Sequence, residues 1–210
     1  MPPNGTVEEQ TRMLESLVAQ NYDAVAISPK DASNMTALLN DVAGKLKLIC
    51  VDSDAPESKR LAYVGTDNYA AGRVLGETLV ERVPDGGKIA IFVGTMDAQN
   101  AQDRYRGIKD VIKDKGDKFT EIGGQPFLDE IDRAKAKANV ESVLTSHQDV
   151  AVLIGLWSYN GPAIASAVES AGRKGEVKII CFDEEEETLK GIENGLIEAT
   201  VVQDPFGFSY

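Results

Sequence analysis

A run of carboxylates follows an apolar stretch in "IICFDEEEETLKG", residues 179–191. Such a cluster could hold a metal ion, act as an acid catalyst or begin a helix. Consecutive helical residues point about 100° apart, so Glu184–Glu187 would fan out instead of converging on one ion. Negative charge in the first turn of a helix is stabilised by the amide dipoles. The pattern therefore predicts a helix start for the glutamates and no metal site, whereas Asp183 ends the strand and is expected to face a ligand.

Polar or amphipathic side chains also follow other apolar runs. A sugar needs this mixture, because each hydroxyl donates and accepts while the C–H face of the ring stacks on an aromatic group. The alternative is that polar residues simply end strands and cap helices. The groups that follow strands are Asp52, Ser53 and Asp54, then residues 94–100, then Trp157, Ser158, Tyr159 and Asn160, then Asp183, and finally Gln203.

Two arginines lie in "NAQDRYRGIKD". Arg104 and Arg106 fall in the first turn of a predicted helix on the ligand side. In so acidic a chain, each is either an ion-pair partner or a forked donor to paired hydroxyls. The sequence leaves both interpretations open.

The sequence lacks the usual parts of an enzyme. Its one histidine, His147 in "LTSHQDV", is predicted to lie in a surface loop. Neither a G-x-S-x-G elbow nor a phosphate-binding or dinucleotide-binding glycine motif occurs. We therefore predict no enzyme and no cofactor. The enzymatic alternative is a promiscuous hydrolase that uses Ser158 or Ser53 with His147.

The composition narrows the class of partner. The 210 residues carry a net charge of −12, which opposes binding to nucleic acid and to anionic membranes. No segment approaches the roughly 20 apolar residues of a membrane span. Cys50 and Cys181 each sit in an apolar run, so free buried thiols are expected. The stretch "MPPNGTVEEQ" lacks the features of a secretory signal, so no export is predicted from the sequence itself.

Short continuous apolar runs alternate with segments of helical spacing, which is typical of strands buried on both faces of a parallel sheet. The pattern predicts a doubly wound α/β fold in two lobes, with residues 1–66 in a partial first lobe, 67–203 in the second and 204–210 returning to the first. Helices are predicted to begin after Thr6, over 31–45, at Asp67 or Asn68, and near Ala98, Glu130, Tyr159 and Glu185. The predicted strands are "YDAVAIS", "LKLICVD", "LAYVGT", "KIAIFVG", "KFTEIGG", "VAVLIGL", "VKIICFD" and "IEATVVQ".

The order of several segments resembles a known family. "GTDNYAAG", the arginine three residues before the glycine of "RYRG", the strand-ending "FD" and "VVQDP" are the most specific of them. The chain resembles the type I periplasmic solute-binding proteins of the ribose-binding-protein-like group, the sugar receptors of ABC importers. The similarity runs over nearly the whole chain. It implies a monosaccharide ligand, a membrane permease as partner and a periplasmic or extracellular location.

The resemblance also implies roles for individual residues. Asp52 stands where the first lobe of the family contacts the sugar. Ser53 lies beside it, and Asp54 is a further candidate contact. Arg104, Asp183 and Gln203 match the cleft arginine, the carboxylate of the second lobe and the glutamine at the hinge. Trp157 replaces an amide of the family pattern, so stacking is expected there, with Asn160 or Tyr159 as polar contacts.

Family members begin with a strand and a helix that would precede this chain, and they continue past its last residue. The first lobe is therefore expected to be incomplete and to expose strand edges. There are three explanations. The chain is a fragment, it exchanges elements in a dimer, or it has been recruited to another task, such as sugar sensing in a regulator. We expect truncation, with a homo-oligomer that compensates for the missing strand.

Overall fold

The computed structural model describes residues 6–209, in which helices and parallel strands alternate. The doubly wound α/β class predicted from the apolar runs is confirmed. In chain order, the elements of this part of the chain are α1 Val7–Ala19, β1 Ala24–Ile27, α2 Thr36–Ala43, β2 Lys47–Val51, β3 Ala62–Val64, α3 Asn68–Arg82, β4 Gly87–Val93, α4 Gln99–Lys113, β5 Phe119–Glu121, β6 Phe127–Leu128, α5 Arg133–Ser146, β7 Val150–Gly155, α6 Asn160–Ser170, β8 Lys178–Phe182, α7 Glu186–Glu193 and β9 Ala199–Val201.

The chain folds into two units. The first unit takes in the residues up to Thr66, Asp97–Gln102 and the residues from Asp204 onward. The second unit comprises Asp67–Met96 and Asp103–Gln203. Residues 97–102, which the sequence prediction placed in the second lobe, thus group with the first unit, where the amide of Ala32 donates to the carbonyl of Asp97 at 3.2 Å.

The first unit contains a three-stranded parallel sheet in the order β1-β2-β3. One face of β2 is covered, because Leu48 and Cys50 are fully buried and alternate with half-buried neighbours. These residues share a core with Leu39 of α2 and Leu14 of α1. Within residues 6–209, β1 pairs on one side only, with β2, and its Ala24 and Ala26 are exposed.

The second unit contains a six-stranded parallel sheet. Its order is β5-β4-β7-β8-β9, and the short strand β6 pairs with β4 beyond the end of β5. The central strands are buried almost throughout, from Ile89 to Val93 in β4 and from Val152 to Gly155 in β7. Parallel strands covered by helices on both faces have this burial, which explains why the apolar runs are continuous. The carboxyl ends of all six strands meet at one edge, where ligands of such sheets bind.

The predicted strand "KFTEIGG" is only half right. β5 ends at Glu121, and Ile122–Gly124 form a turn of 3₁₀ helix in which Gly123 has a φ of 78°. The left-handed backbone of that glycine cannot continue a strand, so the chain steps sideways and pairs again as β6. The sequence analysis did not predict β6.

Two helices begin later than predicted. α2 starts at Thr36, because the carboxylate of Asp31 binds the amide and side chain of Asn34 at 2.9 and 2.7 Å and holds a turn there. α5 starts at Arg133, after Asp132, whose carboxylate accepts from the amides of residues 134 and 135. The helix starts near Ala98, Tyr159 and Glu185 are each confirmed to within one residue.

The predicted helix starts after Thr6 and at Asp67 or Asn68 are confirmed, and so are the buried thiols. The hydroxyl of Thr6 accepts from the amide of Glu9 at 3.2 Å, and Asp67 caps α3 through the amide of Ala70 at 2.9 Å. Cys50 and Cys181 are free and buried, as predicted. None of the helices in residues 6–209 is long and apolar enough to cross a membrane.

Candidate functional site

In the first unit, Asp52 and Ser53 follow β2 directly. Asp52 has a φ of 65°, a left-handed conformation that aspartate tolerates, and it is half-buried. Its Oδ2 accepts from the hydroxyl of Ser28 at 3.1 Å, and its carbonyl lies 2.9 Å from the hydroxyl of Tyr63. Ser53 is 2% exposed, and its Oγ has no hydrogen-bond partner within residues 6–209. A buried hydroxyl without a partner is unusual and suits a polar ligand.

Asp54 has a different environment. Its carboxylate forms a two-point ion pair with Arg60, in which Nη2 donates to Oδ2 at 2.6 Å and Nε donates to Oδ1. This hydrogen bond raises the pKa of Arg60. The same Oδ1 accepts from the amide of Ala55 at 2.8 Å. Asp54 as a ligand contact stays a prediction, and its carboxylate already serves to hold the loop after β2.

In the second unit, Arg104 is almost fully buried on α4. Its Nε donates to Oδ1 of Asn68 at 2.9 Å and its Nη1 donates to the carbonyl of Leu156 at 2.7 Å. The guanidinium lies 4.2 Å from the ring centre of Phe182. These contacts fix the cation between α3, the end of β7 and the end of β8. The prediction that it lies in the first turn of a helix is wrong, because α4 begins at Gln99.

Arg104 also faces the carboxylate that follows β8. Its Nη1 is 3.9 Å from Oδ2 of Asp183, whose side chain is 19% exposed. On the other oxygen, Oδ1 accepts from the amide nitrogen of Gln203 at 2.6 Å. The backbone of Asp183 has a φ of 68°, and its amide donates to the carbonyl of Val201 at 2.8 Å. Arg104, Asp183 and Gln203 therefore form one polar cluster, which we call the Arg104 cluster.

Arg106 is an ion-pair partner, which is one of the two interpretations that the sequence left open. It pairs with Asp103 at 2.9 Å, is 62% exposed and lies over the ring of Tyr69. It makes no described contact with the Arg104 cluster.

Trp157 follows β7 and packs against Gly94, which follows β4. A Cβ on Gly94 would lie 2.1 Å from Cζ3 of Trp157, so the indole rests directly on the glycine backbone. Its Nε1 is buried and has no hydrogen-bond partner among the described residues. The rings of Trp157 and Tyr159 meet edge to face, with centroids 6.4 Å apart. The tryptophan is thus half-buried, fixed, and left with one unused donor.

Asn160 is 1% exposed, and its described contacts are internal. Its Oδ1 accepts from the amide of Trp157 at 2.9 Å, and its Nδ2 donates to Oδ2 of Asp129 at 3.0 Å. Its predicted contact with a ligand stays a prediction.

Asp129 is the residue that sequence reasoning missed. It is fully buried directly after β6, where its Oδ1 accepts from the hydroxyl of Tyr159 and from the amide of Ile131. Burial raises the pKa of Asp129, and the hydrogen bonds from Tyr159, Ile131 and Asn160 lower it in part. Burial, followed by the bond to Asp129, raises the pKa of Tyr159, which therefore stays a donor. Asp129 directly follows the apolar pair Phe127–Leu128, which is the position of the other candidates after strands. It was missed because that pair was not predicted to be a strand.

The four glutamates divide between a loop and a helix. α7 begins at Glu186, one residue after the predicted start near Glu185, so only Glu186 and Glu187 lie in its first turn, and Glu184 and Glu185 precede the helix. Glu185 pairs with Arg133 at 2.9 Å. Among the described residues, no group of three or more His, Cys, Asp or Glu side chains is arranged to hold a metal ion.

The fold defines a class: an α/β protein with two parallel sheets in which polar side chains follow several of the strands. The sequence model of the periplasmic binding protein domain matches residues 1–210. The chain belongs to this family.

Relatives and solved structures give the same picture. A glucose-galactose binding protein from Geobacillus stearothermophilus is 30% identical, with a TM-score of 0.92 over 98% of this chain and 72% of that chain. An ABC transporter solute-binding protein from Burkholderia graminis, solved with D-arabinose, is 28% identical, with a TM-score of 0.92 over 99% of this chain and 72% of that one. The D-ribose/D-allose-binding protein of Pseudomonas aeruginosa is 27% identical over 202 residues.

The match with that Pseudomonas protein covers 92% of this chain but 62% of the relative. The chain thus spans about three-fifths of the length of the curated relatives it matches.

Proposed function

We propose that this chain binds a monosaccharide or a related polyol and acts, without chemistry, as the substrate-recognition component of a carbohydrate ABC importer. The proposed contacts are Asp52 and Ser53 in the first unit and Arg104, Trp157, Asp183 and Gln203 in the second. The proposed partner is the membrane permease of the importer, and the proposed location is periplasmic or extracellular.

The single observation that carries the proposal is the Arg104 cluster. A sugar hydroxyl needs an acceptor and a donor side by side, and Asp183 supplies the first while Arg104 and Gln203 supply the second. The cluster is held by backbone and side-chain bonds before any ligand arrives, so little ordering is needed on binding. Charged hydrogen bonds of this kind are the strong ones.

Two unused donors support the same ligand class. The Oγ of Ser53 and the Nε1 of Trp157 are both buried without a partner in residues 6–209, and both follow strands. A polyol can accept from each of them. The half-buried indole of Trp157 also offers a face on which the C–H surface of a pyranose can stack.

The comparisons support the sugar class. Proteins named for binding ribose, allose, glucose and galactose, and one solved with D-arabinose, are similar to this chain over nearly all of its length. Because these proteins differ in their sugar, the class is proposed here and not one member of it.

Calorimetric titration tests the proposal directly. The folded chain would be titrated at 25 °C with D-ribose, D-allose, D-arabinose, D-galactose and D-glucose, with sucrose as a larger control. We expect at least one monosaccharide to bind with a dissociation constant in the micromolar range or below. Absence of heat from all of them, with a cooperative unfolding transition that no sugar shifts, would contradict sugar binding.

The geometry argues against the hydrolase alternative that pairs Ser158 with His147. His147 ends α5 and precedes β7, whereas Ser158 follows β7. A strand of six residues spans about 20 Å, so the two side chains lie at opposite ends of the sheet. Any esterase activity of the preparation should therefore be unchanged in His147→Ala.

Within residues 6–209, β1 pairs with β2 on one side only, and this supports a second proposal, that copies of this chain associate. Unpaired strand edges pair readily with other strands, and the exposed side chains of Ala24 and Ala26 present no charge against it. Light scattering at micromolar concentration should give a mass above that of one chain. Ala26→Lys should lower that mass, and a monodisperse monomer of the unmodified chain would contradict the proposal.

A further inference from the structure

We infer that Asp129 is a positioning residue that fixes the orientation in which Trp157 meets the bound sugar. This inference rests on the proposed function for its role in binding. The carboxylate of Asp129 is fully buried, and its described hydrogen bonds lead to the residues around the indole that follows β7.

The hydrogen bonds of Asp129 lead to both neighbours of the indole. One oxygen accepts from the hydroxyl of Tyr159, and the other accepts from Nδ2 of Asn160 at 3.0 Å. Because the amide nitrogen of Asn160 is held there, its Oδ1 is turned toward the amide of Trp157, which donates to it at 2.9 Å. The backbone of Trp157 is thus tied to Asp129 through one side chain.

The ring of Trp157 is held through the side chain of Tyr159. Tyr159 meets the indole edge to face at 67°, and its hydroxyl is the group that Asp129 holds. Gly94, which follows β4, lies against both groups, because a Cβ there would be 2.1 Å from the indole and 2.8 Å from the hydroxyl of Tyr159. Loss of the hydrogen bond that Tyr159 donates to Asp129 would release the ring of Tyr159, which packs against the indole.

The local backbone indicates that this arrangement is held under strain. Glu130 and Ile131 have φ values of 57° and 66°, a left-handed conformation that is unfavourable for residues other than glycine. For a β-branched residue such as Ile131 it is an outlier. The amide of Ile131 donates to Asp129 at 2.9 Å, so the carboxylate stabilises the strained turn. Such strain persists only where the surroundings impose it, and it concentrates at ligand sites.

Trp157 is the only tryptophan, so its fluorescence reports on the indole alone. Asp129→Asn keeps the volume but sets an amide donor against Nδ2 of Asn160. We expect sugar to bind about tenfold more weakly. In the ligand-free protein, the emission maximum should move to longer wavelength and acrylamide should quench the indole more strongly, at a temperature where circular dichroism shows both proteins folded.

The double variant Asp129→Asn with Asn160→Asp separates positioning from general damage. It exchanges donor and acceptor across the pair, so the new amide at position 129 donates to the new carboxylate at position 160, while Tyr159 and Trp157 keep their acceptors. Affinity and emission should return to within about threefold of the original protein. If the single variant is unfolded, Tyr159→Phe, which removes one hydrogen bond, should show the same changes in smaller measure.

Glu121 provides the matched control. It is also a buried carboxylate of the second unit, with a side chain 2% exposed, and it accepts from the hydroxyl of Tyr105 at 2.9 Å. Glu121→Gln should leave emission and affinity unchanged. A folded Asp129→Asn protein with the original emission and affinity would overturn the inference. If no sugar binds even the original chain, the proposed function fails, while the emission and quenching series still decides whether Asp129 positions Trp157.

Discussion

The proposed ligand contacts of the two units are held in different ways. In the first, Asp52 and Ser53 are adjacent residues after one strand of a three-stranded sheet, and their side chains have few described partners. In the second, the Arg104 cluster draws on the ends of β8 and β9 and on α4, and it is linked to β7 through the carbonyl of Leu156. The proposed contacts of the second unit are therefore held in place before a ligand binds, whereas those of the first unit have fewer described partners.

Pre-organisation of this kind makes specific residues costly to change. A contact that is fixed by several elements loses both its own bond and the bonds of its neighbours when it is removed. We therefore expect substitutions in the second unit to have larger effects than those in the first.

The largest effect should follow from Arg104→Met. The change leaves Asn68, Leu156 and Asp183 without their buried cationic partner, so stability should fall by about 3 kcal/mol and sugar binding should be lost. Urea unfolding measures the stability, and titration calorimetry measures the sugar affinity. Arg106→Met removes an exposed pair and should cost less than about 1 kcal/mol, with affinity kept. Equal losses in the two variants would contradict a built site around Arg104.

Asp183→Asn should weaken sugar binding by about 30- to 100-fold, because a charged acceptor is replaced by a neutral one where the ligand binds. Asp149→Asn is the matched control, since Asp149 precedes β7 at the other end of the sheet and pairs with Lys88 at 2.7 Å. Titration calorimetry of both variants would show an effect confined to Asp183. An unchanged affinity in Asp183→Asn would remove it from the site.

In the first unit, Asp52→Asn should weaken binding by about tenfold. Asp54→Asn should change affinity by less than about threefold, because the carboxylate of Asp54 is engaged by Arg60. The same titrations compare them. A larger loss in Asp54→Asn than in Asp52→Asn would show that Asp54 contacts the ligand and that the ion pair opens on binding.

The smallest effect concerns the two thiols. Burial raises the pKa of Cys181 to about 11 and also raises that of Cys50, so thiolate forms only well above pH 8 and both should resist alkylation in the folded protein. In mild urea, Cys50 should react before Cys181, because the smaller core of the first unit opens more readily. Peptide mass spectrometry after a short iodoacetamide pulse gives the order. Simultaneous reaction would show that the two units unfold together.

The continuous apolar runs predicted the fold well, because a strand buried on both faces must be apolar along its whole length. β6 was not predicted because a strand of two residues is too short to show a repeating pattern of apolar side chains. The late start of α2 escaped because Asp31 binds the local backbone, which competes with helix formation.

The same logic selected Asp183 and Gln203 as candidates, since a side chain after a strand lies at the carboxyl edge of the sheet. The structure brings these two side chains together, and their contact with a ligand stays a prediction. The sequence does not predict how deeply each candidate side chain is buried or which residues it contacts. Nothing in the sequence distinguishes Asp54, which is engaged by Arg60, from Asp52, or shows that Asn160 faces inward to Asp129.

The central claim is that the Arg104 cluster receives the hydroxyls of a sugar. A crystal structure of the chain with the best-binding monosaccharide tests it most directly. We predict sugar oxygens about 2.7–3.0 Å from the carboxylate of Asp183 and from the guanidinium of Arg104. A sugar bound elsewhere, with Asp183 contacting only Arg104 and Gln203, would contradict the account.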